Sequence, residues 1–289
     1  MQVHLVDGTY ELYRQHFGEL RRRGEVGPRA ATVGVLSSTL QLIEDGATHV
    51  GVATDHVIES FRNGLWAGYK TSEGMEPVLL EQIPVLAEAM RAMGVATWPM
   101  VDHEADDALA SAARVASEER SVHKVLLLTP DKDLAQCVRG RRVVQVDRRT
   151  STVVDEDGVV AKFGVSPSSI PDWLALVGDS SDGFPGVAGW GAKSAAAVLA
   201  RYGTIEAIPP DPATWAADGV AVRGAQRLAE ALDRQREDAA LFKVLATLVD
   251  DLDVGTVDGW RWQGPDPSFE QVAASLGAPR LWERAVVAV

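Results

Sequence analysis

The 289-residue chain is 46% hydrophobic, carries a formal net charge of −13 and has a single cysteine, Cys137. This hydrophobic fraction is sufficient for a substantial core, so the composition excludes a disordered protein, and a lone cysteine excludes an internal disulfide. No run of eighteen apolar residues occurs, and the first strand-like segment follows Met1 without a basic leader. We therefore expect a cytoplasmic protein without a membrane partner.

Strand-like and helical patterns alternate along the first 165 residues. The predicted order is strand 2–6, helix about 29–45, strand 49–53, helix about 77–93, strand 95–98, helix about 104–119, strand 124–128 and strand 142–146. Alternation of this kind is typical of parallel strands joined by helical crossovers. We therefore predict an α/β domain over residues 1–165, with a mostly parallel sheet flanked by helices.

Residues 166–289 have a helical pattern that is interrupted by Gly-rich and Pro-rich turns. A long amphipathic segment covers about 224–248, and a final helix is predicted near 268–287. Between residues 178 and 203 lies "GDSSDGFPGVAGWGAKSAAAVLARYG", whose glycines allow a tight turn with backbone amides close to a phosphate. We predict a small helical module here. A plain helical hairpin without a ligand is the alternative for this segment.

Acidic residues occur where the apolar strands end and where the helices begin. Ligands of open α/β sheets bind beyond the carboxyl ends of the strands, so these side chains are expected to converge. The candidates are Asp7, Asp55, Glu104, Asp106, Asp107, Asp131, Asp133, Asp179 and Asp182. Any one of them could be a helix cap or a turn residue, but independent caps do not explain the whole set.

A pocket with so many carboxylates requires cations. Two carboxylates about 4 Å apart repel each other by roughly 4 kcal/mol at an effective dielectric constant near 20. Oxygen ligands favour Mg²⁺, for which Mn²⁺ can substitute, whereas one cysteine and six scattered histidines do not suggest a zinc site. Two such ions are the common device for phosphodiester cleavage. The acids therefore indicate a nuclease with two divalent ions.

The negative net charge argues at first against binding to nucleic acid, which depends largely on Lys and Arg. The nine candidate acids, however, account for most of the net charge of −13, and bound divalent ions would offset the remainder. Basic clusters occur at Arg21, Arg22 and Arg23, at Arg139, Arg141 and Arg142, and at Arg148 and Arg149. These clusters could line one binding face or could be solvated turns.

Five ordered motifs resemble the bacterial 5′ nuclease family, which comprises flap endonucleases and the 5′–3′ exonuclease domain of DNA polymerase I. They are "LVDGTYELYR", "FRNGLWAGYK", "HEADDALAS", "LLTPDKDLAQ" and "GDSSDGFPGVAGWGAKSA". The resemblance extends from Met1 to about Asp253 and is thin beyond it. It implies a PIN-like nuclease core followed by a helix-three-turn-helix module that binds duplex DNA.

The resemblance implies two metal sites, by the positions of these motifs. The first would be held by Asp7, Asp55, Glu104 and Asp106, the second by Asp131, Asp133, Asp179 and Asp182, with Asp107 in a shared acidic shell. The implied activity is metal-dependent 5′–3′ exonuclease or flap-endonuclease cleavage of DNA with 5′ flaps or 5′ ends, in replication and repair. We expect a monomer that acts at the nucleoid, and protein partners are left open.

The resemblance also assigns residues that contact DNA. Arg14, Tyr69 and Lys70 would act near the scissile phosphate, in a helical arch at about 56–85 that admits the single-stranded 5′ end, with Arg62 beside them. The hairpin residues Gly186, Val187, Gly189, Gly191 and Lys193 would bind the backbone of the downstream duplex, with K⁺ held by the hairpin carbonyl groups.

The arch departs from the family pattern at one position. Relatives often carry an arginine three positions after the arch lysine, where this chain has Glu73. An acid at this position repels phosphate, so it could reduce threading of a 5′ end or alter the preference for flaps. The metal pocket is unaffected by this change.

Two alternatives to a nuclease have partial support in the sequence. A phosphatase of the HAD type would explain "VDGT", "LLLT" and "GDSSD", but its nucleophilic aspartate would have to stand at Leu5, so the covalent chemistry lacks its first atom. A DNA-structure-binding paralogue that has lost cleavage is favoured by Glu73 and opposed by the complete set of carboxylates.

Overall fold

A six-stranded sheet forms the centre of the computed structural model, which describes residues 1–289. The strands are Gln2–Asp7 (β1), His49–Asp55 (β2), Ala96–Met100 (β3), Lys124–Leu128 (β4), Val143–Asp147 (β5) and Thr152–Val154 (β6). Their order is β3-β2-β1-β4-β5-β6, and the first five are parallel. The five predicted strands are therefore confirmed, and the short antiparallel β6 is an addition.

Fourteen α-helices surround and extend the sheet. In the first half they are Gly8–Arg23 (α1), Ala30–Glu44 (α2), Phe61–Leu65 (α3), Pro77–Leu80 (α4), Gln82–Ala92 (α5), Ala105–Glu118 (α6) and Glu156–Phe163 (α7). In the second half they are Ile170–Val177 (α8), Ala192–Tyr202 (α9), Pro212–Ala217 (α10), Ala225–Arg234 (α11), Arg236–Ala246 (α12), Phe269–Ser275 (α13) and Arg280–Val287 (α14). No helix is long and apolar enough to cross a membrane.

Three predicted helices are each divided into two. The segment near 77–93 forms α4 and α5, and the segment near 224–248 forms α11 and α12, which meet at Gln235. The last segment breaks between α13 and α14, where Gly277 has a φ of 70° and Pro279 follows. A left-handed glycine and a proline both end a regular helix, so this break was readable from the sequence.

Close backbone packing brings the carboxyl ends of β1 and β2 together. Gly8, the first residue of α1, lies so near β2 that an added Cβ would be 2.7 Å from the carbonyl oxygen of Ala53. Only glycine permits this approach, because any side chain would overlap the neighbouring backbone. Asp7 and Asp55, which flank this contact, are therefore held at one edge of the sheet.

The last two helices pack on the sheet domain. Phe269 of α13 and Leu281 of α14 are buried in the same cluster as Leu36 and Met90, from α2 and α5. A further connection is made where Trp262 donates its backbone N–H to the carbonyl oxygen of Thr48 at 2.9 Å. The last two helices of the predicted 166–289 region therefore pack on the sheet domain, and the boundary at residue 165 stays a prediction.

Candidate active site

The predicted acids converge at the carboxyl ends of the parallel strands. Asp7 ends β1, Asp55 ends β2, and Asp131 follows β4. Since β1 pairs with both β2 and β4, these three ends are neighbours. The start of α6 and the loop after α8 supply the remaining acids.

Five carboxylates line one open cleft of about 360 Å³. One of them is Asp182, and the other four are here called the first acid group: Asp7, Asp55, Asp106 and Asp131. Asp7 accepts hydrogen bonds from the backbone N–H of Tyr10 at 2.8 Å and from the hydroxyl of Thr129 at 3.0 Å. Asp55 accepts one from the backbone N–H of Ala105 at 2.7 Å. Neutral donors therefore orient these carboxylates.

The first acid group is poorly compensated by positive charge. Burial, with the nearby charges of Asp55 and Asp131, raises the pKa of Asp7 to about 7. Burial and the same kind of repulsion shift the pKa of Asp106 well above its ordinary range, and burial also raises the pKa of Asp55. A hard cation favours ionised oxygen ligands and reverses such shifts, so these donors fit a hard divalent cation.

A second acid group consists of Asp133, Asp179 and Asp182, each of which places one carboxylate oxygen within 4.8 Å of the others. Oδ1 of Asp133 is buried and has no hydrogen-bond partner. Burial and neighbouring carboxylates raise the pKa values of Asp133 and Asp182. An unpaired buried carboxylate oxygen among other acids fits a cation ligand.

Lys70 lies between Glu104 and the second acid group. Its ammonium nitrogen is 2.7 Å from Oε2 of Glu104 and 3.0 Å from Oδ1 of Asp182, and its side chain is 30% exposed. Burial acts to raise the pKa of Glu104, but the charges of Lys70 and Arg62 hold it below its ordinary value. Lys70 is thus a partly accessible positive charge at the cleft.

Asp107 and Arg62 form a buried structural pair. This corrects the predicted place of Asp107 in the acidic shell and of Arg62 near the scissile phosphate. Asp107 is fully buried and bonds to Arg62 at 2.7 and 2.8 Å, to the backbone N–H of Glu104 and to that of Val249. Arg62 is 1% exposed and uses its remaining donors on Glu104 and the carbonyl oxygens of Leu245 and Thr247. No donor is left for a phosphate, and no Asp107 oxygen faces the cleft acids.

The position of Tyr69 also does not fit its predicted role near the scissile phosphate. Its side chain is only 3% exposed and packs in the core of the helical module, with its hydroxyl 3.4 Å from both Glu104 and Asp182. It can therefore support these acids but cannot touch a scissile phosphate. Arg14 follows the cleft residue Tyr13 and is paired with Glu11 on its own helix.

The predicted helical arch is mostly non-helical. Within residues 56–85 the helices are the short α3 and α4 and the beginning of α5, and residues 66–76 between α3 and α4 have no helix. Trp66 donates its indole N–H to the carbonyl oxygen of Gly183 at 3.0 Å, and the backbone N–H of Lys70 donates to the backbone carbonyl oxygen of Asp182 at 3.0 Å. These bonds hold the segment against the loop of the second acid group. Glu73 is exposed on this segment.

The glycine hairpin divides into a buried and an exposed part. Gly186 and Val187 are buried, and at Gly186 (φ 71°) an added Cβ would lie 2.4 Å from the backbone nitrogen of Gly178. Their role is packing, which corrects their assignment to DNA. Gly189, Gly191 and Lys193 are exposed beside an open groove at the start of α9.

Sequence reasoning missed Thr129 and Lys132. Thr129 fixes Asp7, and the ammonium nitrogen of Lys132 is 2.6 Å from Oδ2 of Asp179. Their only sequence signal was their position inside "TPDKD", between two candidate acids. That position does not reveal their contacts with Asp7 and Asp179, which are distant in the sequence.

Sequence comparisons with known proteins match most of this chain. Two family models match, described as 5′-3′ exonuclease, N-terminal resolvase-like domain, over residues 2–164, and 5′-3′ exonuclease, C-terminal SAM fold, over residues 165–268. A 5′-3′ exonuclease of Aquifex aeolicus is 34% identical over 209 residues, which are 71% of each chain. DNA polymerase I of Bacillus subtilis is 31% identical over 97% of this chain, which spans only 32% of that polymerase.

Solved structures share the fold. The D15 flap endonuclease of bacteriophage T5, in complex with DNA and metal ions, has a TM-score of 0.68 at 17% identity and covers 100% of this chain and 98% of its own. The catalytic core of Rad2 with a DNA substrate has a TM-score of 0.64 at 15% identity, covering 100% and 92% of the two chains. The architecture, an α/β core with a helical module, is therefore common to these proteins.

Proposed function

Because this chain belongs to the 5′-3′ exonuclease family, we propose that it is a divalent-metal-dependent nuclease acting on DNA with 5′ flaps or 5′ ends. Cleavage near the junction of single strand and duplex is the proposed main reaction, with removal of nucleotides from 5′ ends as a second one. We further propose that it acts as a monomer at the nucleoid.

The convergence of the two acid groups carries this proposal. Seven carboxylates from distant parts of the sequence meet at one edge of the sheet, and several have raised pKa values because of burial and mutual repulsion. Such an arrangement opposes folding in the absence of cations and is typical of a metal-dependent active site. The positions of these carboxylates and their raised pKa values therefore both support a metal-dependent reaction.

Mg²⁺, with Mn²⁺ as a substitute, is the proposed cofactor. The first acid group would hold one ion and the second acid group the other, with Glu104 near both. When bound, the two ions would activate water and stabilise the charge of the departing oxygen. Lys70 would bind the scissile phosphate, because its ammonium group is partly exposed at the cleft and already held by Glu104 and Asp182.

The groove at the start of α9 is the proposed binding surface for duplex DNA. It is lined by Gly189, Gly191 and Lys193, together with Arg223. The exposed backbone amides of the helix start and the two positive side chains would bind phosphates without reading bases. K⁺ at the hairpin carbonyl groups is proposed as an auxiliary ion.

The test is cleavage of a 5′-labelled flap duplex by the purified protein in Mg²⁺, Mn²⁺ or EDTA. We expect a product cut near the junction in either metal and none in EDTA. The Asp131→Asn variant should lose most of this activity and retain binding, because it deletes a metal ligand and a phosphate-repelling charge. Asp157→Asn, an exposed acid at the start of α7, is the matched control.

Absence of metal-dependent cutting would contradict the nuclease proposal. If the protein bound flap DNA tightly without cutting it in either metal, the second candidate, a non-cleaving protein that recognises DNA structure, would be favoured. The exposed Glu73 beside Lys70 is the observation that favours this candidate. In that case Glu73→Arg should be tested for recovery of cleavage.

A further inference from the structure

The two acid groups differ in how their negative charge is balanced. No member of the first acid group forms an ion pair, and its carboxylates accept hydrogen bonds from neutral donors. In the second acid group two carboxylates are in contact with ammonium groups: Asp179 with Lys132 and Asp182 with Lys70. A divalent ion entering the second group therefore meets carboxylates that are already bonded to ammonium groups, whereas the carboxylates of the first group are not.

Lys132 holds the oxygen of Asp179 that no backbone donor uses. Oδ1 of Asp179 accepts from the backbone N–H of Ser181 at 2.9 Å, while Oδ2 is 2.6 Å from the Lys132 ammonium. The Asp179 side chain is 2% exposed, whereas that of Lys132 is 32% exposed. The carboxylate is fixed and the lysine has a path to solvent, so the lysine is the movable partner.

The position of Lys132 in the chain reinforces this contact. It lies between Asp131 of the first acid group and Asp133 of the second, in the short turn after β4. The Lys132 ammonium group therefore contacts the second acid group from within the segment that carries acids of both groups.

We propose that Lys132 competes with the divalent ion at the second acid group and makes it the weaker of the two metal sites. The inference rests on the proposed two-ion nuclease site. An ion that binds Asp133, Asp179 and Asp182 must displace the Lys132 ammonium from Asp179, whereas the first acid group requires no such displacement. Lys132 thus sets the concentration of metal at which the second site fills.

Counting bound Mn²⁺ by electron paramagnetic resonance, without DNA, tests this proposal. We expect the wild-type protein to have a tight and a weak class of site. Lys132→Gln should tighten the weak class about fivefold, the scale of one partly exposed ion pair, and leave the tight class unchanged. Lys132→Arg should preserve the weak class because it keeps the competing charge. Lys162→Gln, an exposed lysine on α7, controls for the loss of one charge.

An unchanged or weakened second class in Lys132→Gln would overturn the proposal, since weakening would mean that Lys132 only positions Asp179. A second class that appears only in Lys132→Gln would support it. The binding experiment contains no DNA, so its outcome is independent of cleavage. Absence of flap cleavage by the wild-type protein would refute the nuclease proposal. Equal Mn²⁺ affinities of the wild-type protein and Lys132→Gln would refute only the role of Lys132.

Discussion

Asp106 and Asp107 are adjacent in the first turn of α6 and have opposite surroundings. Asp106 faces the first acid group, where burial and the charges of Asp131 and Asp7 raise its pKa well above the ordinary range. Asp107 faces the other way and is fully matched by Arg62 and by two backbone N–H groups. The half-buried Asp106 therefore needs a cation from outside, whereas the fully buried Asp107 has one supplied by the chain.

The difference separates a functional charge from a structural one. The Arg62–Asp107 pair connects the sheet domain to the end of α12, because Arg62 also binds the carbonyl oxygens of Leu245 and Thr247. The first acid group forms no ion pair, and repulsion between its carboxylates destabilises the metal-free fold. The partners of each carboxylate distinguish these two roles.

The largest effect is expected from breaking the structural pair. Asp107→Asn should reduce the free energy of unfolding by roughly 3 kcal/mol, because it leaves the buried Arg62 without its main counter-charge. Urea unfolding at neutral pH measures this loss, with Asp157→Asn as the control. A loss below about 1 kcal/mol would show that Glu104 alone is a sufficient partner for Arg62.

Removing the neighbouring acid, Asp106, should reduce cleavage without reducing stability. Asp106→Asn should slow flap cleavage at least about a hundredfold, through loss of a metal ligand, while stability in EDTA stays equal or rises. Single-turnover cleavage and urea unfolding, performed on the same preparation, test both parts. Normal cleavage by this variant would remove Asp106 from the site.

The pH dependence of stability should reveal the raised pKa values of the first acid group. Because the folded pKa of Asp7, about 7, exceeds its ordinary value of 3.8, the folded protein binds more protons than the unfolded chain between these values. The stabilising contribution of the protonated group is therefore lost as pH rises through about 7. In EDTA the melting temperature should fall by about 5 °C from pH 5 to pH 8, a change on the order of 2 kcal/mol.

Mg²⁺ should remove most of this fall by stabilising the ionised carboxylates. Asp106→Asn should flatten the profile in EDTA because one repelling group is absent, whereas Asp107→Asn should lower the whole curve without changing its slope. A melting temperature in EDTA that is independent of pH would contradict the raised pKa values of the first acid group.

The smallest effect is expected at Glu104, which contacts both regions through Arg62 and Lys70. Glu104→Gln should reduce cleavage about tenfold and stability by about 1 kcal/mol, since both positive partners keep another acid. Flap cleavage and urea unfolding again provide the two readouts. Loss of only one property would assign Glu104 to a single region.

Much of the fold was predictable because hydrophobic periodicity is local. The five parallel strands and the helices near 29–45 and 104–119 were predicted from the alternation of apolar and polar residues, whereas α1 was not. The acids at strand ends predicted the location of the cleft. The non-helical segment 66–76 was not predicted, because its shape depends on bonds from Trp66 and Lys70 to a loop more than a hundred residues away.

The sequence by itself determined the sheet, its functional edge and the set of acids that could bind metal, because these follow from residue type and spacing along the chain. Only the tertiary structure decided which acids are free. Asp106 and Asp107 have the same side chain and adjacent positions, yet successive residues of a helix point about 100° apart. That rotation directs one to the cleft and the other to Arg62, and no local pattern identifies the partner on the far side.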